Sequence, residues 1–480
     1  MKMAPLLTTI FLHLGYYILA FLNTLGSLIS STENREKNRD GYPPLYGAMD
    51  KAVRFFLRRR VPDCWAIPAC GIPGPEIVIN QGAIPKIKCT DEDRKCINLA
   101  SFNYLGFSEN RGRCIDFAIK CIYKYGLSMG ATRQDYGTTD IHVELEKLTA
   151  EFVGAEDSLA CGIGFTVNSL HLPMLISEGC LVLSDEKNHV SLIVGIKVSG
   201  ATVKVFRHND VAHLELLLKE AIYNGRNTEK GIYEPWKKIL IIVEGLNSME
   251  GTVTPLPEII ALKKRFKAYL YLEEAHSIGA MGRNGRGVVE YFGCNPKDVD
   301  LLMGTYTKSF GASGGYIAGD KKLISYMRSK SYVSQHLSAM SPAIAAHVVD
   351  VLKVLMGKDG TNLGHTRIST LARNLKYFRR SLHQIGVTVK GSEDSPIVPI
   401  MCYFHSKTTA MVRLLLEKNI ACAGVMYPIT SFLGCRIRIC LSAGHTREQL
   451  DYALKIISEV VDHIGIKYSI LPHSKEPVEY

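Results

Sequence analysis

The chain has 480 residues, 46% of them hydrophobic, with 57 Lys and Arg against 46 Asp and Glu and a formal charge of +11. That length and apolar content exclude a small module and support a two-part globular body with a sizeable core. Thirteen scattered cysteines, odd in number and without a Cys-x-x-Cys pair, exclude a disulfide framework and a structural zinc site and point to a reducing compartment. No nucleic-acid signature accompanies the dispersed basic residues, so the charge suits an anionic lipid surface or a phosphate-rich substrate.

Between Lys2 and Glu33 no residue carries a full charge, and Leu6 to Ile29 is long enough for one helix to cross a hydrocarbon core of roughly 30 Å. Residues 1–31 are therefore expected to form an uncleaved membrane anchor, because the apolar run exceeds a signal-peptide core and no small-x-small cleavage site follows. Arg35, Lys37 and Arg39 come next, and the positive-inside rule puts the body in the cytosol. Arg58-Arg59-Arg60 after Phe55-Phe56-Leu57 suits an interfacial helix or a solvated helix face. Prolines and glycines through Gly71-Ile-Pro-Gly-Pro75 mark residues 32–95 as a connecting arm.

From residue 96 the pattern alternates between helix and strand. Apolar runs at Cys180–Leu183, Thr202–Phe206, Ile239–Val243, Tyr269–Leu272 and Leu301–Gly304 read as buried strands, separated by helical segments at 165–177, 211–223 and 256–267. This predicts an α/β fold, with a mostly parallel sheet in a large domain over 96–340. Ser395–Cys402 and Cys435–Leu441 are expected as strands of a smaller α+β C-terminal domain, 341–480.

Ligands of such sheets gather beyond the carboxyl ends of the strands. Four strand ends carry polar residues there: Asp185 to His189, Glu244 to Ser248, Glu273 to His276 and Thr305 to Lys308. A lysine beside hydroxyls and the Gly311-Ala-Ser-Gly-Gly315 run can form an imine with an aldehyde when burial strips its proton, while the open amides hold a phosphate. Lys308 is therefore the candidate carrier of pyridoxal phosphate. Glu273 could keep a pyridine nitrogen protonated, and of His189 and His276 one could stack on the ring and the other donate to its phenolic oxygen. Cys161-Gly-Ile-Gly-Phe165 opens a helix and offers a second phosphate contact, although no strand is expected before it. Arg438, alternating with apolar residues, suits either a substrate carboxylate or an internal salt bridge.

Several runs carry a resemblance that covers nearly the whole chain from Asp40: Phe102-Asn-Tyr-Leu-Gly106, Ala131-Thr-Arg-Gln134, Asn188-His189, Val243-Glu-Gly245 with Ser248-Met-Glu-Gly251, Glu274-Ala-His-Ser-Ile-Gly279, Gly304-Thr-Tyr-Thr-Lys-Ser-Phe-Gly311 and Leu441-Ser-Ala-Gly-His-Thr446. Together they resemble the α-oxoamine synthases, a family of fold-type I pyridoxal-phosphate transferases, and within it the lysine-bearing, catalytic subunits of serine palmitoyltransferases. The resemblance implies that Lys308 bonds the cofactor, His189 stacks on its ring, and His276 and Ser248 approach the ring oxygen. It implies Gly164, Phe165, Thr305 and Thr307 at the phosphate, and Asn103 and Arg438 at the amino-acid carboxylate. The implied reaction condenses L-serine with a long-chain acyl-CoA such as palmitoyl-CoA, loses CO2 and yields 3-ketosphinganine, the first step of sphingolipid synthesis. A lysine-less partner subunit and an endoplasmic-reticulum membrane are implied with it. A glycine-using synthase and a non-catalytic scaffold subunit are the alternatives; the membrane segment and Thr-Arg-Gln run argue against the first, and Lys308 with His189 against the second. Two positions depart from the family: Glu273 stands where it has Asp, and Pro428-Ile-Thr-Ser431 replaces its Pro-Ala-Thr-Pro loop.

Overall fold

A computed structural model describes residues 6–29, 64, 67–80, 93–226, 233–427, 429–469 and 478–480. The clusters Arg35 to Arg39 and Arg58 to Arg60, and Pro428, lie outside them. The expected N-terminal span is helical over Leu6–Ile29, and Leu6, Phe11, Tyr17 and Phe21 are exposed on it. Among the described residues, however, no helix is long and apolar enough to cross a membrane. Several side chains of this helix, Leu12, Tyr16 and those beyond Phe21 among them, are not described.

Within the segment expected as a connecting arm, Glu76–Asn80 forms β1, antiparallel to β2 at Asp93–Asn98. The body then runs β3 (Asp157–Cys161), β4 (Leu181–Asp185), β5 (Thr202–Phe206), β6 (Ile239–Glu244), β7 (Tyr269–Glu273), β8 (Leu301–Thr305) and β9 (Gly315–Gly319). These make one seven-stranded sheet in the order β3-β9-β8-β7-β6-β4-β5. Six strands run parallel and β9 opposes both its neighbours, so the sheet is mixed.

β4, β6, β7 and β8 were legible because both faces of the sheet are covered there, which demands continuous apolar runs, whereas the edge strand β5, with Val203 and Val205 exposed, was legible from its β-branched residues. Their side chains divide by alternation. Leu181, Leu183, Ile241, Val243, Leu270 and Leu272 join the main core, while Val182, Leu240, Ile242, Tyr271, Leu301 and Met303 form a second core on the other face. By the same period, Glu244, Glu273 and Thr305 leave the strand ends on the second face, towards the helices Gly164–Leu175 and Val190–Ser199. β3 and β9 went unread because Asp157–Cys161 and Gly315–Gly319 lean on Ser, Ala and Gly.

The remaining strands are β10 (Ile397–Tyr403), β11 (Ile420–Ala421), β12 (Ala423–Val425) and β13 (Cys435–Cys440). β10, β13 and β12 make an antiparallel sheet that contains both strands expected near the C-terminus. β11 pairs in parallel with β2, tying a segment near residue 97 to one near residue 420. The helix Arg447–Ile464 opens on a capping box between Thr446 and Gln449. All cysteines among the described residues are free thiols.

Candidate active site

Lys308 follows β8 in a turn closed by the Gly311 amide on the Lys308 carbonyl. Its Nζ donates to Thr305 Oγ1 at 3.3 Å and lies 5.9 Å from the centre of the Phe102 ring. Burial pulls the ammonium below its ordinary proton affinity and Arg438 adds to this, while Glu273 and Glu244 oppose it. A lysine held this way reaches its neutral, nucleophilic form more readily than a surface lysine.

Phe102 is the hub of the cleft. Arg438 stacks over it at 4.4 Å and His276 meets it edge-on at 5.1 Å, so three polar groups converge on one ring. His276 is buried, and its Nδ1 bonds Tyr104 Oη at 2.8 Å. Burial first, then the charges of Lys308 and Arg438, hold this imidazole neutral, well below the usual histidine range. A neutral ring that accepts from Tyr104 at Nδ1 carries its proton on Nε2, free to donate. Phe102 and Tyr104 were missed as site residues; their signal was the run around Asn103, which drew attention to the amide instead.

His189 caps the helix Val190–Ser199, its Nδ1 set by Ser191 through the hydroxyl at 2.7 Å and the amide at 3.2 Å. Its ring is exposed and sits edge-on to Phe165 at 6.3 Å. Asn188 positions the loop, donating to Ser184 Oγ and to the Ile242 carbonyl of β6. Glu273 is buried at the end of β7 and accepts from the Ala275 amide at 3.0 Å. Burial pushes it up to about 7, although the nearby Lys308 draws it down. Glu274, by contrast, accepts from the Val288 and Val289 amides and from Ser277, which is a structural cap.

Gly164 opens its helix directly after β3, a strand the sequence reading placed nowhere, and a Cβ there would stand 2.9 Å from Thr305 Cγ2 and 3.2 Å from the Gly314 carbonyl. Helix N-terminus, Thr305 and glycine turn thus meet in a cradle that any side chain would fill. Phe165 and Thr307 are exposed beside it. Ser248 is buried after β6, its amide on Glu244.

At the substrate side the two expected residues differ. Arg438 has no carboxylate partner among the described residues; its Nε is buried without a hydrogen bond, and one terminal nitrogen touches Met249 Sδ at 3.8 Å. The internal salt bridge considered for it belongs to Arg436, which pairs with Glu250 at 2.9 Å and is almost fully buried. Asn103 is already engaged, donating to the Pro73 carbonyl at 2.9 Å and accepting from the Ser108 amide at 3.3 Å. Its carbonyl and one of its N–H groups hold a turn, which leaves a single N–H for any ligand. In the Pro428 loop, Ile429 is exposed and Thr430 Oγ1 is buried without a hydrogen-bond partner among the described residues.

Residues 94–457 match the aminotransferase class I and II family. Serine palmitoyltransferase 2 of Dictyostelium discoideum is 43% identical over 96% of this chain and 95% of its own length. Serine palmitoyltransferase 3 of Homo sapiens is 41% identical over 99% and 88%. The chain belongs to the serine palmitoyltransferase family. A solved structure of serine palmitoyltransferase with its pyridoxal-phosphate internal aldimine superimposes with a TM-score of 0.75 at 26% identity, covering 87% of this chain and 98% of that one.

The cofactor of this family member is pyridoxal phosphate, and the side chains in the cleft fit it. A lysine with reduced proton affinity, a helix N-terminus at Gly164 packed on Thr305 and the glycine turn with no room for a side chain, a buried carboxylate acting on the lysine and an exposed histidine are features that suit that cofactor.

Proposed function

We propose that this chain is the lysine-bearing subunit of a serine palmitoyltransferase, condensing L-serine with palmitoyl-CoA to 3-ketosphinganine, CO2 and free coenzyme A. The observation that carries this reading is the Arg438 guanidinium, without a carboxylate partner among the described residues, stacked on the same Phe102 ring that Lys308 approaches. It sets an anion site for an amino-acid carboxylate beside the imine-forming amine. Near-full-length similarity to serine palmitoyltransferases supplies the identity of the two substrates.

Pyridoxal phosphate, when bound, supplies an electron sink that lets the serine Cα lose a proton and its carboxylate. Gly164, Phe165, Thr305 and Thr307 would hold its phosphate, His189 would stack on its ring, and Glu273 would keep the ring nitrogen protonated. His276 and Ser248 would donate to the ring oxygen. Arg438, with the remaining N–H of Asn103, orients serine by its carboxylate. Lys308, displaced as a free amine, takes the Cα proton at Nζ. The Cα so activated adds to the thioester carbonyl, coenzyme A leaves as the thiolate and takes the proton held by Lys308, and departure of CO2 from the serine carboxylate is balanced by one proton taken up from solvent at Cα.

Residues 96–340 form the cofactor-binding body in this reading, and residues 341–480 the smaller domain over it. The Leu6–Ile29 helix seats the protein on an endoplasmic-reticulum membrane with the body in the cytosol. A lysine-less relative is its partner subunit. Support for the lipid contact is the exposure of Leu6, Phe11, Tyr17 and Phe21 on a helix without charges.

Protein co-expressed with its partner subunit is expected to show cofactor absorbance that serine shifts and Lys308→Ala abolishes. No visible absorbance in the wild type refutes the catalytic role. A radiolabel assay of serine, alanine and glycine against acyl-CoAs of several lengths checks the substrates, and preference for glycine refutes them.

A further inference from the structure

Asn374, in the helix Leu363–Ile385, is fully buried and takes no part in the chemistry above. Its side-chain nitrogen donates to the backbone carbonyls of Ser442 and His445, both at 3.1 Å, so both of its N–H groups are spent on one turn. Its Oδ1 accepts from the Tyr480 hydroxyl at 2.8 Å. Arg373 Nη2 meets the same hydroxyl at 3.3 Å. A guanidinium only donates, so the phenolic hydrogen is committed to Asn374. The half-buried Tyr480 ring is held by the Arg373 guanidinium at 4.5 Å, that of Arg447 at 5.5 Å, and Tyr377 edge-on at 5.2 Å.

The turn gripped by Asn374 supports the serine side of the cleft from behind. Ser442 Oγ donates to the backbone carbonyl of Asn103 at 2.7 Å, and the Ala443 amide donates to that of Tyr104 at 2.7 Å. His445 Nδ1 accepts from the Ser442 amide at 3.0 Å, so its Nε2 carries the proton and donates to the Asn98 carbonyl at 3.0 Å. Three bonds from one turn thus seat the segment 98–104. That segment carries Phe102, on which Arg438 and Lys308 converge, Asn103, and Tyr104, which sets His276. Without the Tyr480 hydroxyl, Asn374 Oδ1 is a buried acceptor that has lost its donor. Turning the amide over to find another would aim its oxygen at the Ser442 and His445 carbonyls and break both bonds. The hydroxyl therefore fixes which way the amide faces.

We propose that Tyr480 is a positioning residue for the serine side of the cleft: it orients Asn374, which holds the Ser442–His445 turn against the backbone of Asn98, Asn103 and Tyr104. It acts through the turn and touches no substrate. Its catalytic consequence rests on the serine site read above; its hold on the turn does not.

Tyr480→Phe tests this, because it keeps the ring with its arginine contacts and removes only the hydroxyl. Hydrogen exchange read by mass spectrometry on the co-expressed complex is expected to be faster than in wild type in peptides covering 98–106 and 441–446, and unchanged in the helix Gly164–Leu175. The KM for serine should rise roughly fivefold, as the loss of one neutral hydrogen bond allows, with the KM for acyl-CoA and the cofactor absorbance unchanged. If Tyr480 only packs, Tyr480→Phe matches wild type in both readouts and Tyr480→Ala alone loses Tm, a result that overturns the proposal. Faster exchange of the turn with an unchanged KM for serine overturns it too. Should wild type fail to condense serine at all, the function read above is refuted, and the exchange of the two peptides by itself decides whether Tyr480 holds the turn.

Discussion

Replacing Arg438 with Ala should separate binding from stability in opposite directions. In the ligand-free protein Arg438 has no carboxylate partner among the described residues, and its buried Nε is unsatisfied, a state that costs about 1–3 kcal/mol. Removing it forfeits the stack on Phe102, worth roughly 0.5–1 kcal/mol at a partly exposed site. The net effect on folding stability is therefore expected to be neutral or slightly favourable. Binding moves the other way: losing charge-assisted hydrogen bonds to the serine carboxylate should cost about 1.5–3 kcal/mol, or roughly 10- to 100-fold in the KM for serine, with the KM for acyl-CoA little changed. Arg436→Ala is the control, because that guanidinium is paired with Glu250 and almost fully buried, and breaking such a pair costs about 3–5 kcal/mol of stability. Thermal denaturation and steady-state kinetics on both variants provide the measurements. If Arg438→Ala is destabilised as strongly as Arg436→Ala, or keeps its KM for serine, the guanidinium is structural and the anion site lies elsewhere.

Three further outcomes are expected. Tyr104→Phe removes the bond that sets the His276 ring, worth about 1 kcal/mol, and should lower kcat roughly fivefold without changing cofactor content; an unchanged kcat would show that Tyr104 does not orient the ring. Gly164→Ala places a methyl 2.9 Å from Thr305 Cγ2 and should weaken retention of pyridoxal phosphate on dialysis, and full retention would place the phosphate elsewhere. His171 and His445 are buried neutral, with burial lowering each to about 4. Because the unfolded chain binds these protons first, near the ordinary value of about 6.5, folding stability falls as pH drops from there towards 4, by at most about 3 kcal/mol per residue. Tm measured across that interval should decline, less steeply in His445→Gln; a flat profile refutes the assignment.

The local sequence determined most of what concerns single strand ends. Apolar runs that must be buried on both faces announced β4, β6, β7 and β8, and the polar residues after them marked the crevice, because alternation and strand termination are properties of neighbouring residues. Lys308, His189, Glu273 and His276 were legible on that basis, and the Gly164 turn only from its glycines, since β3 before it was not. Chain folding alone decided the pairings between distant segments: β9 running against its neighbours, β11 completing a sheet with β2, and Glu244 standing beside Glu273. The same holds for the division of labour between two arginines two residues apart. Arg436 and Arg438 occupy equivalent places in an alternating strand, and which one meets Glu250 and which one meets Phe102 depends on a loop nearly 190 residues upstream and a turn still farther away. Partners of that kind are set by tertiary packing, and no period within the strand encodes them.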